Sequence, residues 1–224
     1  MDKKINYCDR QSRMKMVAQN YRPILNGRIL DVGADEGYIK DHLSPNCNYT
    51  GVGLGGKNEE IINIDLEKQK LPFNDGEFDI VLCLDVLEHL ENIHQVFDEL
   101  CRVSNSYVLI SMPNPWKCML SSIWRPYSQN RYMKFYGLPV EPPTDRHRWF
   151  FSTSECLHFI ESKSKMNGFA VIESHSHLLK ITQSNPLNTI FLFFIKILLF
   201  VFGTKIKAED LIASDFWYVL KRIN

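Results

Sequence analysis

The sequence predicts an α/β fold, a doubly wound seven-stranded sheet with helices on both faces, and three observations carry that prediction. Seven short apolar runs are spread along the chain, and stretches with helical periodicity separate most of them. Some runs, such as "FDIVLCLD", are continuous rather than alternating, which suits strands buried on both faces. With 224 residues and 45% hydrophobic content, the chain can bury one full core, and no compositional break divides residues 1–224 into two domains.

The elements follow in order. Asp9 stands where it can cap an opening helix over residues 10–22, with Met14, Val17 and Tyr21 on one side. "GRILDVGA" reads as a buried first strand, followed by a turn and a short helix to about Leu43. "YTGVGL", "EIINIDL" and "FDIVLCLD" read as the second, third and fourth strands. Only "GGKNEE" separates the second from the third, fewer residues than the dozen or so of a helical crossover, so that helix is expected to be absent or cut to one turn. A helix from about Asn92 to Val103 should turn Val96, Phe97 and Leu100 inward and pair Glu99 with Arg102 on its surface. "SYVLISM" is the fifth strand, stopped by "PNPW". Residues 114–150, rich in Pro, Tyr, Trp and Arg without clear period, read as an irregular excursion over the sheet edge. Ser152 and Glu155 form a capping-box pattern for a helix that Gly168 ends, and "FAVIESH" and "FWYVLKR" are the last strands.

Charge and cysteine usage narrow the function classes. Formal charge is zero, with no basic block to neutralise a phosphate backbone, so no nucleic-acid partner is expected and a small acceptor fits better. The six cysteines are scattered and none forms C-x-x-C, which reads as reduced thiols in a cytoplasm. The polar opening "MDKKINYCDRQSRMKM" lacks the apolar run of a secretory signal.

"ILDVGADEGYIK" joins a strand to a tight turn that Gly37 leaves into a helix, where a nucleoside-like ligand can meet backbone N–H groups at a helix start. It does not spell a dinucleotide glycine triplet, and alone it is equally readable as a structural turn. The following residues add specificity. "IDLEKQKLPFNDGEFDIVLCLDVLEHLENIHQVFDELCRV" and then "LISMPNP" closely resemble the seven-stranded S-adenosylmethionine-dependent methyltransferases, in the branch with an LPF-x-D-x-x-FD-x-V-x-x-x-x-V-LEH-L signature. The resemblance spans about Gly27 to Asn114 and continues weakly through "DRHRWFFSTSECLHFIE".

That resemblance implies a mostly parallel sheet with an antiparallel last strand, a cofactor-binding half over residues 27–113, S-adenosylmethionine as cofactor and methyl transfer as the reaction. It places Asp31, Gly33, Ala34 and Gly37 by the methionine part, Asp65 and Leu66 by the adenine, and Leu84 and Asp85 beside the sulfonium. The chain departs from the pattern twice. Asp35 stands where relatives often have glycine, so the loop must turn a side chain outward there. Gly53 stands where an acidic residue usually holds the ribose hydroxyls, which leaves that contact to backbone or water.

His147, in "DRHRW", would reach the cofactor mouth and take a proton from an acceptor hydroxyl; its alternative is a surface-loop histidine. His89, in "LEHL", either shapes the site floor or joins the chemistry, and Glu88 caps or pairs. His175 and His177 share one face of a strand but lack a third ligand, so no metal is assigned. Trp116, Trp124, Tyr132, Tyr136 and Trp149 would form either an acceptor platform or a lid packed on the core.

Residues 187–203 form an apolar insert before the last strand. As a helix its apolar run from Thr189 to Gly203 would extend about 20 Å, short of a bilayer's roughly 30 Å hydrocarbon thickness, so it should not span. Something must cover it: the inner face of a membrane, a second subunit in a homodimer, or the core. The insert points to an amphiphilic acceptor, such as a lipid-linked sugar, a quinone-like ring or a lipid head, with a soluble metabolite as the plain alternative. A different class of function is a non-catalytic adaptor that kept the fold and lost the donor.

Overall fold

The computed structural model describes residues 7, 9–55, 58–124, 140–142, 146–178, 190, 193–194, 196–197, 199, 201, 203, 211 and 213–223. The first helix, α1 (Arg10–Asn20), starts at a reciprocal cap: Ser12 N donates to Asp9 Oδ1 (2.7 Å) and Asp9 N donates to Ser12 Oγ (3.2 Å). The strands are β1 (Arg28–Val32), β2 (Asn48–Gly53), β3 (Ile61–Asn63), β4 (Phe78–Leu84), β5 (Ser104–Pro113), β6 (Phe169–Leu178) and β7 (Ala213–Arg222). Further helices are α2 (Ile93–Val103), α3 (Pro115–Trp124) and α4 (Thr153–Met166).

The seven strands form one sheet in the order β3-β2-β1-β4-β5-β7-β6. β1 pairs in parallel with both β2 and β4, and β4 with β5, while β7 runs antiparallel to β5 and to β6. Strand order therefore reverses between β1 and β4, the position where open α/β sheets bind ligands beyond their strands' carboxyl ends. Successive residues of each central strand point to opposite faces. Leu30, Val32, Val81, Cys83, Val108 and Ile110 meet Val96, Phe97 and Leu100 of α2 and Ile160 of α4. Ile29, Ile80, Leu82, Leu109 and Trp217 meet Met16, Val17 and Tyr21 on the α1 side.

The "LPFND" loop is clamped to α2 by Arg102, whose guanidinium donates to Leu71 O (3.0 Å), Phe73 O (2.8 Å) and Asp75 Oδ1 (2.8 Å) while pairing with Glu99 (2.8 Å). The expected Glu99–Arg102 pair thus has a structural purpose, fixing the entry to β4. The capping box of α4 forms as expected, with Glu155 N on Ser152 Oγ (3.2 Å) and Ser152 N on Glu155 Oε2 (2.7 Å).

Several elements differ from expectation. The helix after β1 is a single 3-10 turn, Lys40–His42, because Gly37 takes φ +75° and Lys40 N bonds back only as far as Gly37 O (3.0 Å). β3 ends at Asn63, so Asp65 and Leu66 lie just past it rather than in it. The excursion expected to be irregular opens with α3. There Pro115 occupies the first helical position, and Asn114 Oδ1 accepts from Trp116 N (3.0 Å), so "PNPW" both stops a strand and starts a helix. Tyr132 and Tyr136 lie outside the described residues. Between Gly53 and Ile61 no described residue is helical, in keeping with the short connection. Among the described residues no helix is long and apolar enough to cross a membrane, and the described cysteines, Cys47, Cys83, Cys101, Cys118 and Cys156, are not in disulfides.

Candidate active site

The carboxyl ends of β1, β2 and β4 bring Asp31, Gly33, Gly53, Leu84 and Asp85 to one edge of the sheet, with Asp65 and Leu66 just beyond β3. Gly33 has φ +79°, and a Cβ there would lie 2.3 Å from Val86 Cγ2, so its glycine is required by packing against the β4 loop whatever else binds. The backbone N–H groups of the turn are not offered at a helix start. Gly33 N and Ala34 N both donate to Val52 O (2.8 and 3.0 Å), and Gly37 N donates to Ala34 O (2.8 Å). Asp35 takes φ +53°, and its exposed side chain pairs with Arg10 (2.5 Å), the outward placement expected of it.

The side chains at this edge are held by contacts of their own. Asp31 is 3% exposed and accepts from Tyr49 Oη (3.1 Å); burial pushes its carboxyl up to about 6, against the opposing pull of Tyr49 and Arg13. Asp85, also in the left-handed region at φ +55°, accepts from Arg13 Nη1 (2.7 Å) and Ser111 Oγ (2.7 Å), and its N–H donates to Ser111 O (3.0 Å). Arg13 in turn donates to Ser111 Oγ (2.5 Å) and lies over the rings of Trp217 (5.2 Å) and Tyr7 (5.7 Å). Tyr7 and Trp217 both donate to the buried Asp215. Sequence reading missed Arg13. The signal was present, since Arg13 lies on the same helical face as Met16 and Val17, where an arginine needs an acidic partner.

Asp65 accepts from Lys68 Nζ (2.8 Å) and Glu67 N (3.0 Å), and the Lys68 bond foremost holds its carboxyl below the usual range. Leu66 is buried, and its carbonyl accepts from Asn92 Nδ2 (2.8 Å). At Gly53 an added Cβ would meet nothing closer than Ala34 N and Ile61 Cγ2 at 3.7 Å, so the position has room for a side chain it does not carry.

A strap over residues 146–149 brings the histidines together. Arg148 N donates to Glu88 O (2.8 Å), Arg148 Nε to His89 O (2.7 Å), and Trp149 Nε1 to Leu90 O (2.6 Å). His89 Nδ1 lies 3.2 Å from Arg146 O, and since a carbonyl only accepts, Nδ1 carries the proton. His147 is 7% exposed and sits edge-on to His89, with ring centroids 4.6 Å apart. Glu88 is fully buried between them, its Oε1 3.5 Å from His89 Nε2 and 4.0 Å from His147 Nε2. One donor atom from each lies within 4.8 Å of the others, so this carboxylate and two imidazoles could hold a divalent cation, although sequence reading assigned no metal. His147 is thus a buried group rather than a surface-loop histidine. His175 is separately engaged, by Tyr21 Oη (3.2 Å) and Glu173 (3.2 Å), and the side chain of His177 lies outside the described residues.

A zwitterionic amino acid group would find complementary charge at this edge, since a buried carboxylate at Asp31 suits an ammonium and the Arg13 guanidinium suits a carboxylate. The sequence profile of a family described as a methyltransferase domain matches residues 9–173. The ubiquinone biosynthesis O-methyltransferases of Rickettsia typhi and Rickettsia prowazekii are each 29% identical over 155 residues, 59% of this chain. Those alignments span 63% and 62% of the relatives, less than two thirds of their length. Among solved structures, a SAM dependent methyltransferase from Archaeoglobus fulgidus superposes with TM-score 0.62 at 15% identity, covering 95% of this chain and 94% of that one. A S-adenosylmethionine-dependent methyltransferase from Clostridium acetobutylicum gives TM-score 0.56 at 10% identity, covering 98% and 94%. The chain belongs to the class I, S-adenosylmethionine-dependent methyltransferase family.

Proposed function

We propose that this chain transfers a methyl group from S-adenosylmethionine to a hydroxyl of a small, quinone-like ring. The observation that carries the acceptor class is the 155-residue match to the ubiquinone biosynthesis O-methyltransferases. Lipid-linked sugars have no comparable support, nor has the non-catalytic adaptor.

When bound, the cofactor supplies an electrophilic methyl on a sulfonium, already a good leaving group, so positioning supplies most of the rate. Asp31 would pair with its ammonium, Arg13 with its carboxylate, and Asp65 with the adenine amine, with Leu66 lining the ring. Gly33, Ala34 and Gly37 shape the turn beneath it, and Gly53 leaves the ribose to backbone or water. Leu84 and Asp85 lie where β4 ends, beside the reacting centre. An acceptor hydroxyl would give its proton to the His147 imidazole as its oxygen bonds the methyl carbon and the carbon–sulfur bond breaks, the bonding pair staying on the sulfur of the demethylated product; Glu88 and His89 lie beside that ring. A second reading of this trio, favoured by its clustered donor atoms, is a divalent cation that binds the acceptor hydroxyls. Loss of transfer on chelation, restored by added metal, would select it over simple base catalysis. We place the protein in the cytoplasm, its acceptor at the inner face of a membrane.

The test is calorimetric titration with S-adenosylmethionine and its demethylated product, then mass spectrometry of catechol and hydroxyquinol acceptors. Saturable binding lost in Asp65→Ala, with gain of one methyl on oxygen, is the expected result. A folded protein that binds neither ligand at millimolar concentration would sink the reading.

A further inference from the structure

The connection between β6 and β7 carries an apolar surface that points the wrong way for a core. Ile190, Phe193, Phe194, Ile197 and Val201 are helical, and their spacing (i, i+3, i+4, i+7, i+11) places all five on one face. That face is open to solvent: Ile190 is 52% exposed, Phe193 62%, Phe194 63%, Ile197 43% and Val201 70%. Leu199, on the opposite face, is partly buried. A contiguous apolar stripe on a protein exterior marks an interaction site.

Charge selects the occupant. Between Glu173 and Glu209 the chain has no acidic residue and four lysines, Lys180, Lys196, Lys205 and Lys207, in a protein whose formal charge is zero. Lys196 lies within the helix, at the flank of the stripe and exposed. Aromatic and aliphatic residues flanked by Lys196, in a segment whose sequence is cationic, suit an interface of acyl chains and anionic headgroups, where a lysine stem can lie along the apolar layer with its ammonium in the headgroups. A second copy would instead bring two such cationic segments face to face. Residues 190–201 as a helix extend only about 18 Å, so the segment can lie in the interface but cannot span it.

Its position adds a use. β7 is antiparallel to both β5 and β6, so β6 ends and β7 begins at the sheet edge to which β1, β4 and β5 deliver Asp31, Asp85 and Pro113. We propose that the β6–β7 connection docks the protein on an anionic membrane surface through the Ile190, Phe193, Phe194, Ile197 and Val201 stripe, turning the cofactor edge toward the bilayer. Docking stands on the stripe and its charge; delivery of a membrane-dissolved acceptor to His147 rests on the methyl-transfer reading above.

The experiment is flotation of the full chain with phosphatidylcholine vesicles, with and without phosphatidylglycerol, beside sedimentation analysis of the vesicle-free protein. The expected result is binding to the anionic vesicles that weakens with salt and falls roughly 30- to 100-fold in Phe193→Ser/Phe194→Ser. Both phenylalanines are exposed, so the variant should keep its melting temperature, and its affinity for the demethylated cofactor reports separately on the active site. Vesicle binding without cofactor affinity would uphold docking while removing the transfer reading. A monomer that ignores anionic vesicles would overturn the proposal. So would a dimer that the double substitution dissociates, because the stripe would then be a subunit interface.

Discussion

Replacing Asp31 by asparagine should stabilise the protein while weakening its grip on the cofactor. Asp31 is buried at the end of β1 with one hydrogen bond among the described residues, from Tyr49, and its carboxyl titrates at about 6 against an ordinary 3.8. A carboxyl whose pKa is raised by folding costs stability wherever it is ionised in the fold. The cost is absent below about pH 4, grows between about pH 4 and 6, and is complete above that. Two pKa units correspond to about 3 kcal/mol, and asparagine keeps an acceptor for Tyr49 Oη, so a gain of about 2–3 kcal/mol is expected near pH 7. Urea denaturation of both proteins near pH 7 and near pH 4 measures it, and the gain should vanish at the lower pH. The cofactor's ammonium would pair with the ionised carboxylate. Wild-type affinity should therefore rise with pH through about 6, and the variant should lack both the affinity and the slope. A variant no more stable than wild type near pH 7, or one whose advantage persists near pH 4, would refute the assignment of strain to this carboxylate.

Other outcomes follow from neighbouring contacts. Gly53→Asp has room for its side chain and would restore the acid usual at that strand end. It should tighten cofactor binding about tenfold by calorimetry, and weaker binding would remove the ribose from that position. Arg13→Gln breaks a pair with Asp85 whose arginine side chain is 9% exposed and whose aspartate is 30% exposed. The expected loss is about 2–4 kcal/mol in urea denaturation, whereas under about 1 kcal/mol would show that solvent screens the pair. His147→Gln should lower kcat for methyl transfer by about 10²–10⁴ with cofactor affinity unchanged; an unaltered kcat would move the proton elsewhere.

Much of the fold was written in local patterns. "FDIVLCLD" becomes a strand buried on both faces because continuous apolar character needs cover on both sides. Asp9, Ser152 and Glu155 cap their helices through contacts within one turn, and six residues cannot hold a crossover helix, which is arithmetic rather than energetics. Prolines were harder. Pro115 predicts a stop, yet the same missing N–H that ends a strand suits the first turn of α3. The candidate site is legible as positions along the chain, since Asp31 lies near the end of β1, Asp65 just past β3 and Asp85 just past β4, and those strand ends define an edge. Its side-chain partners were not. Arg13 meets Asp85 and Ser111 across three elements, and Glu88, His89 and His147 converge because a strap folds back over the β4 loop. By itself the sequence determined the sheet, its caps, its short connection and the family, because each depends on period and local hydrogen bonding. Only tertiary structure decided which buried charges pair, and that the stripe of Phe193 and Phe194 faces outward, because burial depends on what the rest of the chain brings to each face.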